Sequence, residues 1–331
     1  MAGLLDKEFM RANPGRVWPR ALAYTLFEGR PLTTRGQWIN PVVLAGHRLW
    51  SVLPFSTADR EPIFILGTGR SGTTVLGQIL AAHPDVGYLN EPKALWQSAL
   101  GNDDLIGSYS TQPGQFRIGP EDVGREARKR LIRSYRAFMT LSRSRRIVDK
   151  YPELIFRADL LRDVFPKARF LVLIRDGRAV CRSVTNWSAA RESSDADWWG
   201  RDRRKWRILV DELVRTNAAT EPKADIIAGF QRQEDMAATE WALTMHEALQ
   251  LRHSHATGRY FIRYENLVAR PAEEIEKVLK FSGLEKDDKL LGYAARTLRP
   301  AERQFDLQLH PAILPFFNDI QRQLGYPSAA P

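Results

Sequence analysis

Pro62-Ile-Phe-Ile-Leu-Gly-Thr-Gly-Arg-Ser-Gly-Thr-Thr74 is the stretch on which the reading of this 331-residue chain turns. Residues 63–66 are a short apolar run closed by glycine, the pattern of a buried strand. Residues 67–74 read as a loop. Residues 75–82 read as a helix that His83-Pro84 stops. Strand, glycine-rich loop and helix in that order make a cradle for an anion, because the loop amides and the helix N-terminus face the same point. Gly67 and Gly72 stand where the two glycines of a G-x-x-x-x-G-K-[ST] loop stand, but Thr73 holds the lysine position and Arg70 lies inside the loop. Without the lysine that grips terminal phosphates, a nucleoside triphosphate with magnesium is disfavoured, while the anion-binding geometry survives.

Outward from this loop, further strands are expected at 86–90, 146–149, 169–174 and 259–264. Helical segments lie between them at 123–141, 153–165, 177–187, 236–253 and 271–281. Strands alternating with helices predict an α/β fold: a three-layer sandwich around a parallel sheet of about five strands, P-loop-like at its first strand. Residues 1–60 read as a helical extension rich in arginine and aromatic residues, and 61–331 as the main domain. Within it, 188–234 looks like an insertion of helix and loop. Val42 to Phe55 is apolar but broken by His47, Arg48 and Pro54. The extension therefore reads as helices packed on the core, with a peripheral membrane contact or an oligomer arm as the alternative.

Composition narrows the functional class. Net charge is +10 and the pI about 9.8, so anionic partners are favoured. Cys181 is the one cysteine, which excludes an internal disulfide and a cysteine-based zinc site. Six histidines show no H-E-x-x-H spacing, so no metal is expected. No apolar run reaches 18 residues and the N-terminus lacks a leader pattern, so the expected location is the cytoplasm.

Ligands of parallel α/β sheets bind beyond the carboxyl ends of the strands. The phosphate loop with Arg70 follows the first strand, Glu91 the second, Lys150 the third and Arg175 the fourth; Tyr264 ends the fifth. Arg70 and Lys150, with the loop amides and the hydroxyls of Ser71, Thr73 and Thr74, suit an anionic group on which charge develops. Glu91, a carboxylate among cations, is placed to take a proton from an acceptor hydroxyl. Arg175 and Ser183 suit a second phosphate, and Tyr264 suits stacking on a base. Each has a plainer reading: Glu91 as a structural partner for one of the arginines, Arg175 as a loop support with Ser183 a solvent-facing serine, Tyr264 as core.

These motifs, in this order, resemble sulfotransferases that use 3′-phosphoadenosine 5′-phosphosulfate (PAPS). The resemblance spans roughly Pro62 to Tyr326. Gly67-Thr-Gly-Arg-Ser-Gly-Thr-Thr74 is similar to the family's 5′-phosphosulfate loop, and Phe170 to Ser183 to its 3′-phosphate segment. Arg263-Tyr-Glu-Asn-Leu267 is similar to its late strand and turn. The resemblance implies that Gly69, Arg70, Ser71, Gly72, Thr73 and Thr74 bind the 5′-phosphosulfate, and that Arg175 and Ser183 hold the 3′-phosphate. It also implies that Tyr264 lies near the adenine, that Lys150 stabilises the transferring group and that Glu91 is the catalytic base. A carboxylate base, rather than the histidine common in cytosolic members, points to the bacterial and tyrosylprotein branch. Arg299 is a candidate for a further basic contact.

The expected function is transfer of a sulfuryl group to an acceptor hydroxyl without a metal. A glycan or glycolipid acceptor is favoured by the basic helix at 125–136 and the tryptophans at 187–206; a tyrosyl or small-alcohol acceptor is the alternative. A phosphoryl-transfer enzyme is the enzymatic rival, and a non-catalytic polyanion or nucleotide binder is the rival from another class. No specific nucleic-acid partner is expected.

Overall fold

The computed structural model describes residues 10–11, 13–28, 38–53, 55, 61–190, 198–254, 257–299 and 307–330. Its centre is a sheet in the order β2-β3-β1-β4-β5. The strands are β1 Ile63–Gly67, β2 Val86–Asn90, β3 Arg146–Lys150, β4 Arg169–Ile174 and β5 Arg259–Arg263. All four neighbouring pairs are parallel. The helices, in chain order, are α1 Val17–Ala23, α2 Asn40–Val52, α3 Thr73–Ala81, α4 Lys93–Leu100, α5 Arg125–Leu141, α6 Ala158–Val164 and α7 Gly177–Ala189. They continue with α8 Arg204–Leu209, α9 Ala224–Ala228, α10 Gln233–His253, α11 Tyr264–Ala269, α12 Pro271–Ser282, α13 Asp288–Thr297 and α14 Leu314–Gln323.

The central strands β1 and β4 are almost wholly apolar because both faces of the sheet are covered, whereas β2, β3 and β5 carry polar or charged residues. Their period of two divides them between two cores. Phe64 and Leu66 of β1, with Phe170, Val172 and Ile174 of β4, join the larger core beneath α5, α7, α10 and α14. Ile63 and Ile65, with Leu171 and Leu173, join the smaller core with α3, α12 and α13. The result is the three-layer α/β sandwich expected. α10 is buried along much of its length, so it shows no polar face and packs closely on α7.

Several boundaries differ from the sequence reading. The helix after the phosphate loop begins at Thr73, because Leu76 N already bonds Gly72 O (3.1 Å). Residues 153–165 are not one helix: Pro152–Arg157 is a 3₁₀ segment and α6 follows it. The C-terminal region contains α13 and α14. Within 188–234, the stretch read as an insertion, Trp199, Leu209 and Val214 are fully buried in the larger core, and residues 191–197 lie outside the described ones. Much of the extension, residues 1–9, 12, 29–37, 54 and 56–60, lies outside the described residues. Its described parts are largely helical and lean on the edge strand β2. Arg20 bonds the Tyr88 carbonyl (2.9 Å) and pairs with Glu28, and Glu28 Oε1 accepts from Asn90 N (2.8 Å). An open strand edge is thereby covered.

Candidate active site

β1 delivers the chain into a loop whose backbone is held tightly. Ser71 Oγ donates to Thr68 O (2.6 Å), and Ser71 N bonds the same carbonyl (3.3 Å). The Ser71 hydroxyl, read from sequence as an anion ligand, thus gives its proton to the loop itself. Thr73 is buried and Thr74 half-buried at the start of α3, where first-turn amides have no partner within the helix. Arg70 takes a left-handed conformation (φ 66°) with its side chain exposed. Gly72 has φ 98°, and a Cβ there would meet the Tyr264 ring at 2.4 Å. Only glycine satisfies both conditions.

On the β4 side of this loop four predicted residues meet. Arg70 Nε donates to Ser183 Oγ (3.0 Å), and Arg175 Nη1 donates to Arg70 O (2.9 Å). The Arg175 guanidinium lies over the Tyr264 ring at 4.1 Å. Strand order brings them together: Arg175 follows β4, Tyr264 follows β5, and Ser183 lies two turns into α7. Asp176 starts that helix by accepting from Arg178 N (2.9 Å). Trp241 of α10 fixes the Arg175 backbone by donating to its carbonyl (3.1 Å).

On the β3 side lies the second group. Lys150 ends β3 opposite Ile65, and Glu91 directly follows β2. The Lys150 ammonium bonds the Glu91 carboxylate, and Glu91 N bonds Lys150 O (2.7 Å). Lys150 is buried, while the Glu91 side chain keeps about a fifth of its exposure. Glu91 has φ 51°, so it and Arg70 are two of the five non-glycine residues with positive φ among those described. Such strain in an ordinary side chain persists where its surroundings over-determine it, and it clusters at functional sites.

One part of the site was not foreseen. The Trp198 ring lies so close to Gly69 that a Cβ there would meet it at 2.5 Å. Trp198 Nε1 donates to Glu240 Oε2 (2.6 Å), and the Lys205 ammonium lies 4.8 Å from the ring centre. Lys205 pairs with Glu240 (2.5 Å) and Glu153 (3.6 Å), and Glu153 lies 3.9 Å from Lys93. Burial opposes the charge of Lys205, yet Glu240, Glu153 and more weakly Glu91 raise its pKa above the usual lysine value. Burial likewise opposes the charge of Glu153, but Lys93 and Lys205 hold it below the usual carboxylate range. With Glu91 and Lys150, three ammonium groups offset three carboxylates beside the loop. The basic-aromatic run at 198–206 could be seen in sequence, but not that Trp199, Lys205 and Trp206 are buried. Those three therefore do not form an open nucleic-acid surface. Arg299 is exposed after α13, and the residues that follow it, 300–306, lie outside the described ones. Among the described residues no His, Cys, Asp and Glu cluster suits a metal ion.

The sequence model of the sulfotransferase family matches residues 62–227, half of the chain, and the chain belongs to that family. Nodulation protein NoeE of Sinorhizobium fredii is 28% identical over 227 residues, 65% of this chain and 48% of that protein. The protein-tyrosine sulfotransferase of Drosophila melanogaster is 24% identical, covering 76% of this chain and 45% of its own length. The chain thus spans about half the length of these relatives. Sulfotransferase STF9 from Mycobacterium avium shares the fold, with a TM-score of 0.52, 13% identity and 98% of each chain covered.

Proposed function

We propose that this protein transfers the sulfuryl group of PAPS to an acceptor hydroxyl, with Glu91 as the base. The observation that carries the reading is the pair of groups flanking one phosphate loop: Arg70, Arg175 and Ser183 on one side, Glu91 and Lys150 on the other. The first group supplies cations and a hydroxyl for a nucleotide with phosphates at two positions. The loop amides and the α3 N-terminus suit the 5′-phosphosulfate. Arg175 and Ser183 suit the 3′-phosphate, and Tyr264 lies where an adenine would be met.

Glu91 takes the proton of the acceptor hydroxyl. The acceptor oxygen then forms its bond to sulfur as the bond from sulfur to the phosphate oxygen breaks. Adenosine 3′,5′-bisphosphate leaves. Arg70 and Lys150 offset the charge that gathers on the sulfuryl oxygens and the leaving phosphate. The Lys150–Glu91 pair couples the two tasks: once Glu91 is protonated, its hold on the ammonium weakens and Lys150 can follow the moving charge.

For the acceptor, a glycan or glycolipid hydroxyl is favoured by two tryptophans. Trp187 lies one turn beyond Ser183, on the same face of α7, and packs edge-to-face on Trp198 at 5.4 Å. Such a wall suits the apolar face of a sugar ring. Relatives named for protein-tyrosine sulfation favour a tyrosine hydroxyl as the second reading.

A screen of glycan, glycolipid, tyrosyl-peptide and small-alcohol acceptors with radiolabelled donor tests both readings. On the acceptor found, Glu91→Gln should lower kcat by about a hundredfold or more, the usual range for losing a general base. Adenosine 3′,5′-bisphosphate binding should stay near normal. Retention of most of the activity would remove Glu91 from the role of base.

A further inference from the structure

α2 presents an apolar stripe to solvent. Trp38, in the turn leading into the helix, is 74% exposed, Val42 70%, Leu49 51% and Val52 63%. Ala45 is exposed between them. Steps of three, four and three put Val42, Ala45, Leu49 and Val52 on one helical face, and Trp38, four residues before Val42, precedes it in the turn. The opposite face is anchored: Asn40, His47 and Ser51 are buried, Asn40 Nδ2 donates to Ser108 O (2.5 Å), and His47 packs edge-to-face on Phe27 at 5.9 Å. Burial of that face turns the stripe outward.

Beside the stripe runs a row of cations. α5 packs against α2. Arg125, Lys129, Arg133 and Arg136 follow each other along α5 at steps of four, four and three; the three arginines are exposed, and Lys129 is half-exposed and paired with Glu126 (2.7 Å), so the arginines carry the row's net charge. Arg133 Nη1 donates to Ser51 O (3.4 Å), which sets the row against the C-terminal end of α2. Arg48 adds an exposed cation from α2 itself.

The two features together choose among occupants. A second copy docked symmetrically would bring the cation row towards its own image, and like charges oppose that contact. A nucleic acid would use the row but leave Trp38, Val42, Leu49 and Val52 in water. An anionic lipid surface uses both: apolar side chains enter the boundary between headgroups and acyl chains, and arginines meet the lipid phosphates.

We infer that α2 and the basic side of α5 form a docking surface for an anionic bilayer, which holds the enzyme at the membrane without crossing it. Among the described residues no helix is long and apolar enough to cross one. The inference stands on this surface alone and does not depend on which acceptor is sulfated.

Flotation of the full chain with vesicles tests it, using phosphatidylcholine alone and phosphatidylcholine mixed with phosphatidylglycerol. The chain should float with the anionic vesicles and stay behind with the neutral ones. V42D/L49D should lose at least tenfold in binding, and R125Q/R136Q about fivefold for each charge removed. Nucleotide binding and Tm should be unchanged in both, since all four residues are exposed and none belongs to the groups that flank the phosphate loop. Failure of the wild type to float with anionic vesicles would overturn the inference, as would equal flotation of V42D/L49D. A wild-type dimer in light scattering that V42D/L49D converts to a monomer would assign the stripe to a second copy instead.

Discussion

Asp149 is joined to Lys150 by one peptide bond, yet it faces the opposite side of the sheet and is fully buried. Its Oδ2 accepts from Trp96 Nε1 (3.0 Å) and from the Tyr135 hydroxyl, while Oδ1 has no hydrogen-bond partner among the described residues. Burial pushes its pKa up to about 7. The folded state therefore holds a proton that the unfolded chain, titrating near 4, gives up. Stability from this group is full below about pH 4 and is lost as pH rises through 7. Burial drives His47 the other way, down to about 4, so its contribution grows between pH 4 and 6.5. Asp149→Asn separates the two, since His47 is common to both proteins. The stability of the variant relative to wild type should rise between pH 4 and 7, by on the order of a few kcal/mol in urea unfolding. A difference that stays flat with pH would mean Asp149 is ionised throughout. None of this is legible in sequence, where Asp149 is one residue of an alternating strand and its partners Trp96 and Tyr135 come from two helices, 53 and 14 residues away. Glu91 and Lys150, by contrast, were legible as strand-end residues. Their ion pair was not, because it depends on β2 and β3 being neighbours.

At the scale of elements, the phosphate loop was readable because its glycines answer to backbone constraints that any sequence must meet. The central strands β1 and β4 were readable because strands buried on both faces are nearly continuous apolar runs, and the others by shorter apolar stretches bounded by turn residues. What could not be read is which distant segment closes each element. The edge of β2 is closed by Arg20 and Glu28, some 60 residues away in sequence, both nearly inaccessible to solvent. Glu28→Ala would leave Arg20 as a buried charge without its carboxylate. This should cost about 3–5 kcal/mol in chemical denaturation, the usual penalty for breaking a buried pair from one side. Because Glu28 also holds Asn90 N, next to Glu91, catalysis should weaken with it. A variant as stable as wild type would show that the extension is not part of the folded unit. The Trp198–Lys205–Glu240 group was missed for the same reason: α10 supplies Glu240, and nothing near Lys205 in sequence signals a buried partner.

Across the whole molecule, the sheet gathers two sets of charges at one end. The loop between them carries a left-handed arginine on one flank, bonded to Ser183 of α7 and, through its carbonyl, to Arg175 beyond β4. Positive charge at two separate points is the feature that distinguishes a ligand with two phosphate positions from one with a single position. It is also what separates this reading from a site for any polyanion. A charge-only surface responds to total charge, whereas under the proposed reading Arg175 and Ser183 respond to a phosphate at one place on the ribose. Calorimetric titration with adenosine 3′,5′-bisphosphate and adenosine 5′-monophosphate measures this directly. The bisphosphate should bind wild type at least tenfold more tightly, and Arg175→Ala should bring the two nucleotides close to equal affinity. Equal affinity of wild type for both, or a preference that survives Arg175→Ala, would contradict the account.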